Sequence, residues 1–329
     1  MANRPLTFND YIGQERIKAQ LEVMIAASLR MGRALPHIAF GGNAGLGKTT
    51  LAQIVANALG TNFHTAMGSN LKSADDVYAL LEQVDEGDVV FIDEIHRMPI
   101  AIEELFYPVM EDFEVEIVNE YSQLERVSVP HFTLIGATTL AGQLSKPLRD
   151  RFGRVFELQN YDENDLVIIL QKLAAREEVE YDLEALRDIA RRARGVARIG
   201  ISYFDRCREY AVVYCGGKVT EEAVQEQFAM MGIDELGLTE NDHRVLEFLS
   251  RQSRPKGVAA LCTGVGIDKP TYENVIEPYL YQIEFIDRAS NGRVITPKGM
   301  RWIGASARVE SSTVARSSNL RSLRELRGE

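Results

Sequence analysis

The sequence predicts an α/β domain with a mainly parallel sheet, followed by a helical domain and a small domain of three helices and a hairpin. In the first half, short apolar runs alternate with amphipathic stretches. From residue 162 to about residue 228, helical patterns replace the apolar runs, and an Asn-Gly turn follows three more helical patterns near residue 291. The 329 residues are 45% hydrophobic and 26% charged, which is typical of a globular chain and excludes disordered and fibrous classes.

Apolar runs predict five strands in the first domain, residues 1–160. They are Ile38–Phe40, Phe63–Met67, Val89–Ile92, Thr133–Ala137 and Val155–Leu158, and amphipathic stretches such as Thr50–Leu59 and Ala74–Gln83 separate them. Because the C-terminal ends of parallel strands meet at one edge of a sheet, we expect the ligand site there.

Helical periodicity defines the rest of the chain. The second domain, residues 161–235, is predicted to contain helices Glu163–Arg176, Leu183–Arg194, Ile199–Tyr214 and Glu221–Met230. The third, residues 236–304, is predicted to contain helices Glu240–Arg251, Val258–Val265 and Thr271–Ile283, then two strands joined by Ser290-Asn291-Gly292. This is the layout of a winged helix. Residues 305–329 are expected to form a basic, flexible tail, in which Ser318–Arg327 could also be a partner-bound helix.

The charge is unevenly distributed along the chain. The net charge is −11, but residues 288–329 carry +6 and the remainder −17. A basic C-terminal end can direct one face to nucleic acid, although a solvated tail explains the same charge. The start has no signal peptide and no apolar run reaches the ~18 residues of a membrane span, so we expect a cytoplasmic protein. The cysteines and histidines lack metal-site spacing, so any metal must arrive with a ligand.

The strongest motif is Gly42–Thr49, Gly-Asn-Ala-Gly-Leu-Gly-Lys-Thr, between an apolar strand and an amphipathic helix. Its glycines allow backbone N–H groups to surround nucleotide phosphates at a helix N-terminus. Lys48 supplies a mobile cation and the Thr49 hydroxyl a ligand for Mg²⁺. The motif therefore predicts a nucleotide-binding phosphate loop.

Two carboxylates, Asp93 and Glu94, directly follow the strand Val89–Ile92. Asp93 is expected to hold the Mg²⁺ shell, and Glu94 to activate the attacking water. Transfer of phosphate to a small substrate does not need the second carboxylate, whereas hydrolysis does. The pair therefore favours ATP hydrolysis over kinase activity.

Further polar residues flank the last two strands. Thr138 and Thr139 can position the lytic water or sense the γ-phosphate, or they can be ordinary strand-end threonines. The stretch Pro147–Phe152 contains two arginines, Arg149 and Arg151. One of them can reach the γ-phosphate of a neighbouring subunit, or form a surface ion pair with Asp150. The residues alone leave both alternatives open.

With these motifs in view, the chain resembles the AAA+ ATPases and, within them, the RuvB family of Holliday-junction branch-migration motors. The resemblance extends from about Arg4 to Gly304. Its most specific stretches are Asp10–Gln14, Gly45–Ala52, Phe91–Arg97, Met110–Phe113, Leu134–Thr139, Pro147–Gly153 and Glu277–Leu280. It implies a P-loop AAA+ core, a helical lid and a C-terminal winged-helix head.

The resemblance also implies roles for single residues. Glu94 would be the catalytic base, Thr139 (alternatively Thr138) the first sensor, Arg151 the trans-acting arginine finger and Arg198 the second sensor. The residues that would border ATP and its metal are Arg4, Tyr11, Ile12, Gly45, Gly47, Lys48, Thr49, Thr50, Asp93, Glu111, Asp112, Phe113, Tyr161 and Arg198. Arg288 and Arg293 would contact DNA phosphates, which gives affinity without sequence preference.

Several positions depart from the family pattern. Asn43-Ala44 replaces a Pro-Pro pair, and Leu140 and Asn291 each replace an arginine. The segment Asn119–Glu125 is shorter than the family hairpin associated with docking onto the adaptor RuvA, and it lacks that hairpin's basic character. We interpret these changes as those of a divergent branch, one that a phage or mobile element could carry, with a different adaptor.

The combined prediction is an ATP-driven motor that binds ATP and Mg²⁺, works as a hexameric ring and translocates duplex DNA at Holliday junctions in recombination and repair. An alternative is an AAA+ loader or remodeller that uses the winged helix to dock a protein. A non-hydrolysing scaffold is disfavoured by Asp93, Glu94 and Arg151.

Overall fold

The computed structural model describes residues 5–118 and 123–304. The chain divides into two compact units, one ending at Val224 and the other beginning at Gln225. The predictions made for Arg4 and for residues 305–329 lie outside the described residues. Within those described, no helix combines the length and apolar character needed to cross a membrane.

The N-terminal unit is built on a five-stranded parallel sheet with the order β2-β3-β6-β1-β7. Its strands are β1 (Ile38–Gly41), β2 (Phe63–Met67), β3 (Val89–Asp93), β6 (Thr133–Ala137) and β7 (Arg154–Glu157), while β4 (Glu114–Val118) and β5 (Leu124–Ser128) form a separate antiparallel hairpin. All five predicted strands are confirmed, with ends that differ by at most one residue. The central strands are fully buried, as expected of a sheet covered on both faces.

Helices cover this sheet and extend beyond it. They are α1 (Glu15–Met31), α2 (Lys48–Leu59), α3 (Ala74–Leu81), α4 (Ile100–Glu111), α5 (Lys146–Arg151), α6 (Glu163–Arg176), α7 (Leu183–Arg192), α8 (Ala197–Tyr214) and α9 (Glu221–Met231), in which the division between units falls. A capping box between Ser73 and Asp76 starts α3. Phe106 and Val109 of α4 belong to the same apolar core as Val90 and Leu134 of the sheet.

The predicted helical domain begins with α6, α7 and α8, which pack against one another. The turn between α7 and α8 needs Gly195, because its backbone is left-handed and a Cβ there would lie 3.0 Å from the Tyr161 carbonyl oxygen. Tyr161 in turn donates its N–H to the Gly195 carbonyl at 2.8 Å. This turn places the N-terminus of α8 over the phosphate loop.

The C-terminal unit contains α10 (Glu240–Ser250), α11 (Val258–Val265), α12 (Lys269–Thr271), a π-helical turn (Tyr272–Ile276), α13 (Glu277–Gln282), β8 (Ile286–Ala289) and β9 (Gly292–Ile295). The predicted continuous helix Thr271–Ile283 is wrong in detail, since the π-helical turn interrupts it. Residues 290 and 291 close the predicted hairpin, whose strands pair in antiparallel register. Leu246, Tyr272 and Leu280 belong to a core that is separate from that of the sheet.

Candidate nucleotide site and nucleic-acid interface

The sheet order brings the three predicted strand ends together. Strands β3, β6 and β1 are neighbours, so Asp93-Glu94, Thr138-Thr139 and the phosphate loop follow adjacent strands at the same edge. Binding sites of open α/β sheets lie at this edge. The threonine pair therefore sits between the carboxylates and the phosphate loop.

The phosphate loop has a backbone that its glycines permit. Gly45 and Gly47 have φ values of 82° and 95°, which ordinary side chains rarely adopt. A Cβ on Gly45 would lie 2.8 Å from Cβ of Arg198, and one on Gly47 would lie 2.7 Å from the Tyr11 hydroxyl. The loop is thus enclosed by the N-terminal segment and by the start of α8.

Lys48 is buried at the start of α2. Its ammonium group donates hydrogen bonds to the carbonyl oxygens of Gly42 and Asn43, at 2.6 and 2.9 Å. Burial lowers the pKa of Lys48, while the nearby charges of Glu94 and Asp93 oppose that shift. The cation is held by neutral groups of the loop that surrounds the predicted phosphates.

Two buried tyrosines bind the backbone of the phosphate loop at the Leu46 carbonyl. The Tyr11 hydroxyl donates to the Leu46 carbonyl at 3.0 Å. The Tyr161 hydroxyl lies 2.9 Å from the same oxygen and 3.0 Å from the Tyr11 hydroxyl. Burial raises the pKa of both phenols, so both act as uncharged hydrogen-bonding groups.

These residues surround a cavity of about 760 Å³, a size typical of small-molecule sites. Its lining includes the predicted residues Tyr11, Ile12, Gly45, Gly47, Lys48, Thr49, Thr50, Asp93, Glu94, Tyr161 and Arg198. It also includes residues that sequence reasoning missed, among them Leu6, Met67, Ile169, Lys172, Leu173 and Arg176. Four of the missed residues lie on one face of α6, which forms one wall of the cavity.

Glu94 and Thr139 are in direct contact, since the Thr139 hydroxyl donates to Glu94 Oε2 at 3.0 Å. His96 Nδ1 lies 3.3 Å from the same carboxylate oxygen and 2.8 Å from the Thr138 hydroxyl. Burial lowers the pKa of His96. The threonine alternatives thus separate in space: Thr139 contacts the predicted base, and the fully buried Thr138 contacts His96.

The metal prediction rests on oxygen ligands. Thr49 and Asp93 line the same cavity, and Mg²⁺ prefers such ligands together with phosphate oxygens. Among the described residues, no cluster of three or more His, Cys, Asp or Glu side chains could hold a metal ion. The residues present fit a metal ion that shares its coordination with a nucleotide.

Arg151 lies at the end of α5 and is not among the described residues that line the cavity. Its guanidinium donates to the Pro147 carbonyl at 2.9 Å, pairs with Glu111 at 3.3 Å, and covers the Tyr107 ring with Cζ 4.0 Å from the centroid. The ion partner is therefore Glu111 rather than the Asp150 considered from sequence. The described contacts of this guanidinium are thus with α4 and α5 and not with the nucleotide cavity.

Glu111, Asp112 and Phe113, predicted to border the nucleotide, are also missing from the described lining of this cavity. They lie at the end of α4, where Phe113 adopts a left-handed φ of 54° and stacks on His131 at 4.2 Å. Glu111 pairs with Arg151, so these predicted residues lie near the end of α5 and not on the described lining of the cavity.

In the C-terminal unit, the two predicted DNA-contacting arginines share one buried acid. Arg293 donates from Nε and Nη2 to the Glu277 carboxylate at 2.9 and 3.1 Å, and Arg288 donates from Nε at 2.8 Å. The Glu277 side chain is 2% exposed, that of Arg293 22% and that of Arg288 57%. Arg288 is the more accessible cation of the pair.

Comparison with known proteins gives one consistent result along the chain. Residues 3–158 match the family described as the Holliday junction DNA helicase RuvB P-loop domain. Residues 161–234 match the RuvB AAA lid domain, and residues 235–304 the RuvB C-terminal winged helix domain. The predicted fold class is confirmed in all three parts.

Comparison over almost the whole chain identifies the same family. The chain is 42% identical over 299 residues to the Holliday junction branch migration complex subunit RuvB of Campylobacter jejuni strain RM1221, which covers 90% of this chain and 89% of that protein. It is 40% identical over 304 residues to the RuvB of Campylobacter fetus, covering 92% and 89%. The Thermotoga maritima RuvB Holliday junction branch migration motor superposes with a TM-score of 0.82 at 37% identity, covering 92% of this chain and 98% of that one. The chain belongs to the RuvB family of P-loop AAA+ ATPases.

Proposed function

We propose that this protein hydrolyses ATP to drive branch migration, translocating duplex DNA at Holliday junctions in recombination and repair. The observation that carries the proposal is that the phosphate loop, Asp93-Glu94 and Thr139 meet at one edge of the sheet. The same chain also presents a hairpin with two arginines bound to Glu277. The predicted domain bounds, 1–160, 161–235 and 236–304, are retained as part of the proposal. A cytoplasmic location also stays a prediction.

ATP would lie with its phosphates against the loop and its base between the N-terminal segment and α6. Lys48 can exchange its bonds to the Gly42 and Asn43 carbonyls for bonds to phosphate oxygens without leaving a charge unpaired. Arg198, at the start of α8, faces Gly45 of the same loop. Loss of the γ-phosphate would therefore change contacts on α8 and move the lid.

Hydrolysis would proceed by attack of water on the γ-phosphorus. A new phosphorus–oxygen bond forms, the bond to the β,γ-bridging oxygen breaks with its electron pair leaving on ADP, and a water proton passes to the Glu94 carboxylate. Thr139 restrains this carboxylate from one side. A Mg²⁺ ion held by Thr49, Asp93 and phosphates would neutralise charge on the phosphate oxygens.

Ring formation is proposed from the position of Arg151. Arg151, Glu111, Asp112 and Phe113 form a surface separate from their own cavity, as expected of groups that complete the site of a neighbouring copy. We therefore propose a closed ring, a hexamer, in which each Arg151 stabilises charge at the next subunit's ATP.

Complementation between variants tests the ring. The Arg151→Ala variant keeps a working nucleotide site but lacks the arginine that would act on the neighbouring subunit. The Lys48→Ala variant has a defective nucleotide site but keeps Arg151. Each variant alone should be nearly inactive, and a mixture should recover part of the wild-type rate at mixed interfaces. A mixture that stays as inactive as its components, while both variants still assemble, would contradict action across subunits.

DNA coupling is tested by the ATP turnover rate with and without junction DNA and linear duplex. Stimulation by DNA that the double change Arg288→Ala, Arg293→Ala abolishes would support a head-coupled motor. A basal rate that DNA leaves unchanged would instead favour a loader of proteins. A RuvA-like adaptor stays a doubtful prediction and a different adaptor the expected one, since residues 119–122, between β4 and β5 in sequence, lie outside the described residues.

A further inference from the structure

His96 lies between the catalytic carboxylate and a buried hydroxyl. It belongs to a short 3-10 turn, Ile95–Arg97, that follows β3, and its side chain is 5% exposed. Its Nδ1 atom is 2.8 Å from Thr138 Oγ1 and 3.3 Å from Glu94 Oε2. The imidazole therefore connects the end of β6 to the carboxylate that follows β3.

The neighbouring carboxylate favours the tautomer with a proton on Nδ1. A carboxylate oxygen only accepts hydrogen bonds, so an unprotonated Nδ1 would direct a lone pair at Glu94. A protonated Nδ1 can instead donate toward the carboxylate and the Thr138 hydroxyl. Thr138 is itself fixed, because its oxygen accepts the N–H of Leu140 at 2.9 Å. Buried groups arranged in this way hold the ring in one orientation.

The Glu94 backbone makes such restraint necessary. Glu94 has a left-handed φ of 49°, which is unfavourable for a residue with a side chain. Its carbonyl oxygen comes so close to Gly68 that any Cβ there would overlap it. Backbone strain of this kind persists when surrounding contacts fix it, and it is common at functional sites.

We propose that His96 is a positioning residue for ATP hydrolysis. Thr139 donates to Oε2 of Glu94, and His96 Nδ1 lies 3.3 Å from the same oxygen. The two contacts would restrain the plane of the carboxylate and leave Oε1 to accept the proton of the attacking water. Thr138 acts through His96. The two threonines thus have different roles: Thr139 contacts the base directly, and Thr138 orients the histidine that does so.

Substitutions of His96 separate positioning from packing. His96→Leu fills the space without a donor, whereas His96→Asn places an amide N–H close to the position of Nδ1. We expect His96→Leu to lower kcat about 10–100-fold, the scale of a misplaced catalytic group, while ATP affinity measured with a fluorescent ATP analogue stays within a few fold. His96→Asn should recover most of kcat. An Asn variant as slow as the Leu variant, or a Leu variant with the wild-type kcat, overturns the proposal.

A double-mutant cycle with the base provides a stricter readout. If His96 acts only through Glu94, Glu94→Gln combined with His96→Leu should be as slow as Glu94→Gln alone. A structural role would instead slow both backgrounds equally and would overturn the proposal. Thr138→Val, which keeps the side-chain volume, should by itself lower kcat, and an unchanged kcat would overturn the proposal even if His96→Leu fails to fold. Beside a folded His96→Leu it should have no further effect.

The inference rests on ATP hydrolysis by this site. A wild-type protein without ATP turnover would contradict the proposed function. A wild-type protein with turnover that is indifferent to His96 and Thr138 would contradict only the positioning role.

Discussion

Lys48 and Arg293 are both largely buried cations at predicted phosphate sites, but they are held in opposite ways. Lys48 donates to two neutral carbonyls of its own loop. Arg293 binds the buried carboxylate of Glu277 through two nitrogens. Moving Lys48 away from its carbonyls breaks no ion pair, whereas removing Arg293 leaves the buried carboxylate with Arg288 as its remaining ion-pair partner among the described residues.

The difference separates a cation that is available to a ligand from one that maintains a local structure. Hydrogen bonds to backbone carbonyls can be exchanged for stronger, charge-assisted bonds to phosphate. A bidentate arginine–carboxylate pair already has such bonds. Arg288 binds Glu277 through one nitrogen and has a side chain that is 57% exposed. It can therefore both support the local structure and bind a ligand.

The largest effect is expected for Lys48→Ala. Loss of the only lysine in the phosphate loop should reduce ATP turnover by about 10²–10³-fold or more, the cost of removing one electrostatic contact to a transition state. The free energy of unfolding should change by less than about 1 kcal/mol, because the lost contacts are two neutral carbonyls. Turnover and denaturant unfolding measure the two quantities.

Lys172→Ala is the matched control for Lys48. Lys172 lines the same cavity and donates to the Asp10 carbonyl at 3.1 Å, but it lies on α6, away from the phosphate loop. Its loss should change turnover by less than about 10-fold, since it has no phosphate contact. Equal losses in the two variants would show that Lys48 acts through general electrostatics rather than through its place in the loop.

The next effect concerns stability in the other unit. Arg293→Ala should lower the free energy of unfolding of the C-terminal unit by about 3 kcal/mol, because a buried carboxylate loses its bidentate partner. Arg288→Ala should cost less than about 1 kcal/mol, as for exposed ion pairs. Denaturant titrations of both variants measure the difference. Similar losses in both would contradict the distinction between the two arginines.

The regions that the sequence predicts well are those whose defining residues are adjacent along the chain. The phosphate loop, the five strands and Asp93-Glu94 are contiguous, and each was placed correctly. The cavity wall on α6 was missed although Ile169, Lys172, Leu173 and Arg176 follow the i, i+3, i+4, i+7 spacing of one helical face. That signal was available, but spacing alone cannot say which face meets a ligand.

Non-local contacts were harder to predict. Asp150 was considered as the partner of Arg151, although adjacent residues of a helix do not face each other. The actual partner, Glu111, comes from α4 through packing. The π-helical turn directly before Glu277 was also not predicted. The sequence signal for an irregularity inside the predicted helix was Pro278, which removes a backbone N–H donor. Such contacts depend on how elements pack, which periodicity does not report.

His37 adds a third way of holding a titratable side chain and predicts a pH effect in the N-terminal unit. It accepts the Leu134 N–H at Nδ1 and donates to the Met110 carbonyl from Nε2, so only the neutral ring fits. Burial lowers the pKa of His37 to about 4. Below its ordinary value of 6.5 the unfolded chain binds a proton that the folded chain does not, so stability falls as the pH decreases from 6.5 to 4.

The expected loss over this pH range is about 3 kcal/mol at most. It is measured by denaturant unfolding of the N-terminal unit at several pH values. His37→Gln should be less stable at neutral pH but should have a flatter pH profile than the wild type. A variant with the same slope as the wild type would assign the acid sensitivity to other groups.

The smallest effect tests which arginine meets DNA. Each phosphate contact contributes about 0.9 to the slope of the logarithm of duplex affinity against the logarithm of salt concentration. Arg288→Ala should reduce this slope by about that amount, because its exposed guanidinium is free to leave Glu277 in part. Arg251→Ala, which removes a side chain of equal charge and greater exposure directly after α10, is the control and should leave the slope nearly unchanged. Arg293→Ala, measured where the unit remains folded, should change the slope less than Arg288→Ala does. A larger change for Arg293→Ala would mean that DNA phosphate replaces Glu277 as the partner of Arg293. Arg293 would then exchange its partner for phosphate as Lys48 is expected to do, and the proposed difference between the two cations would be wrong.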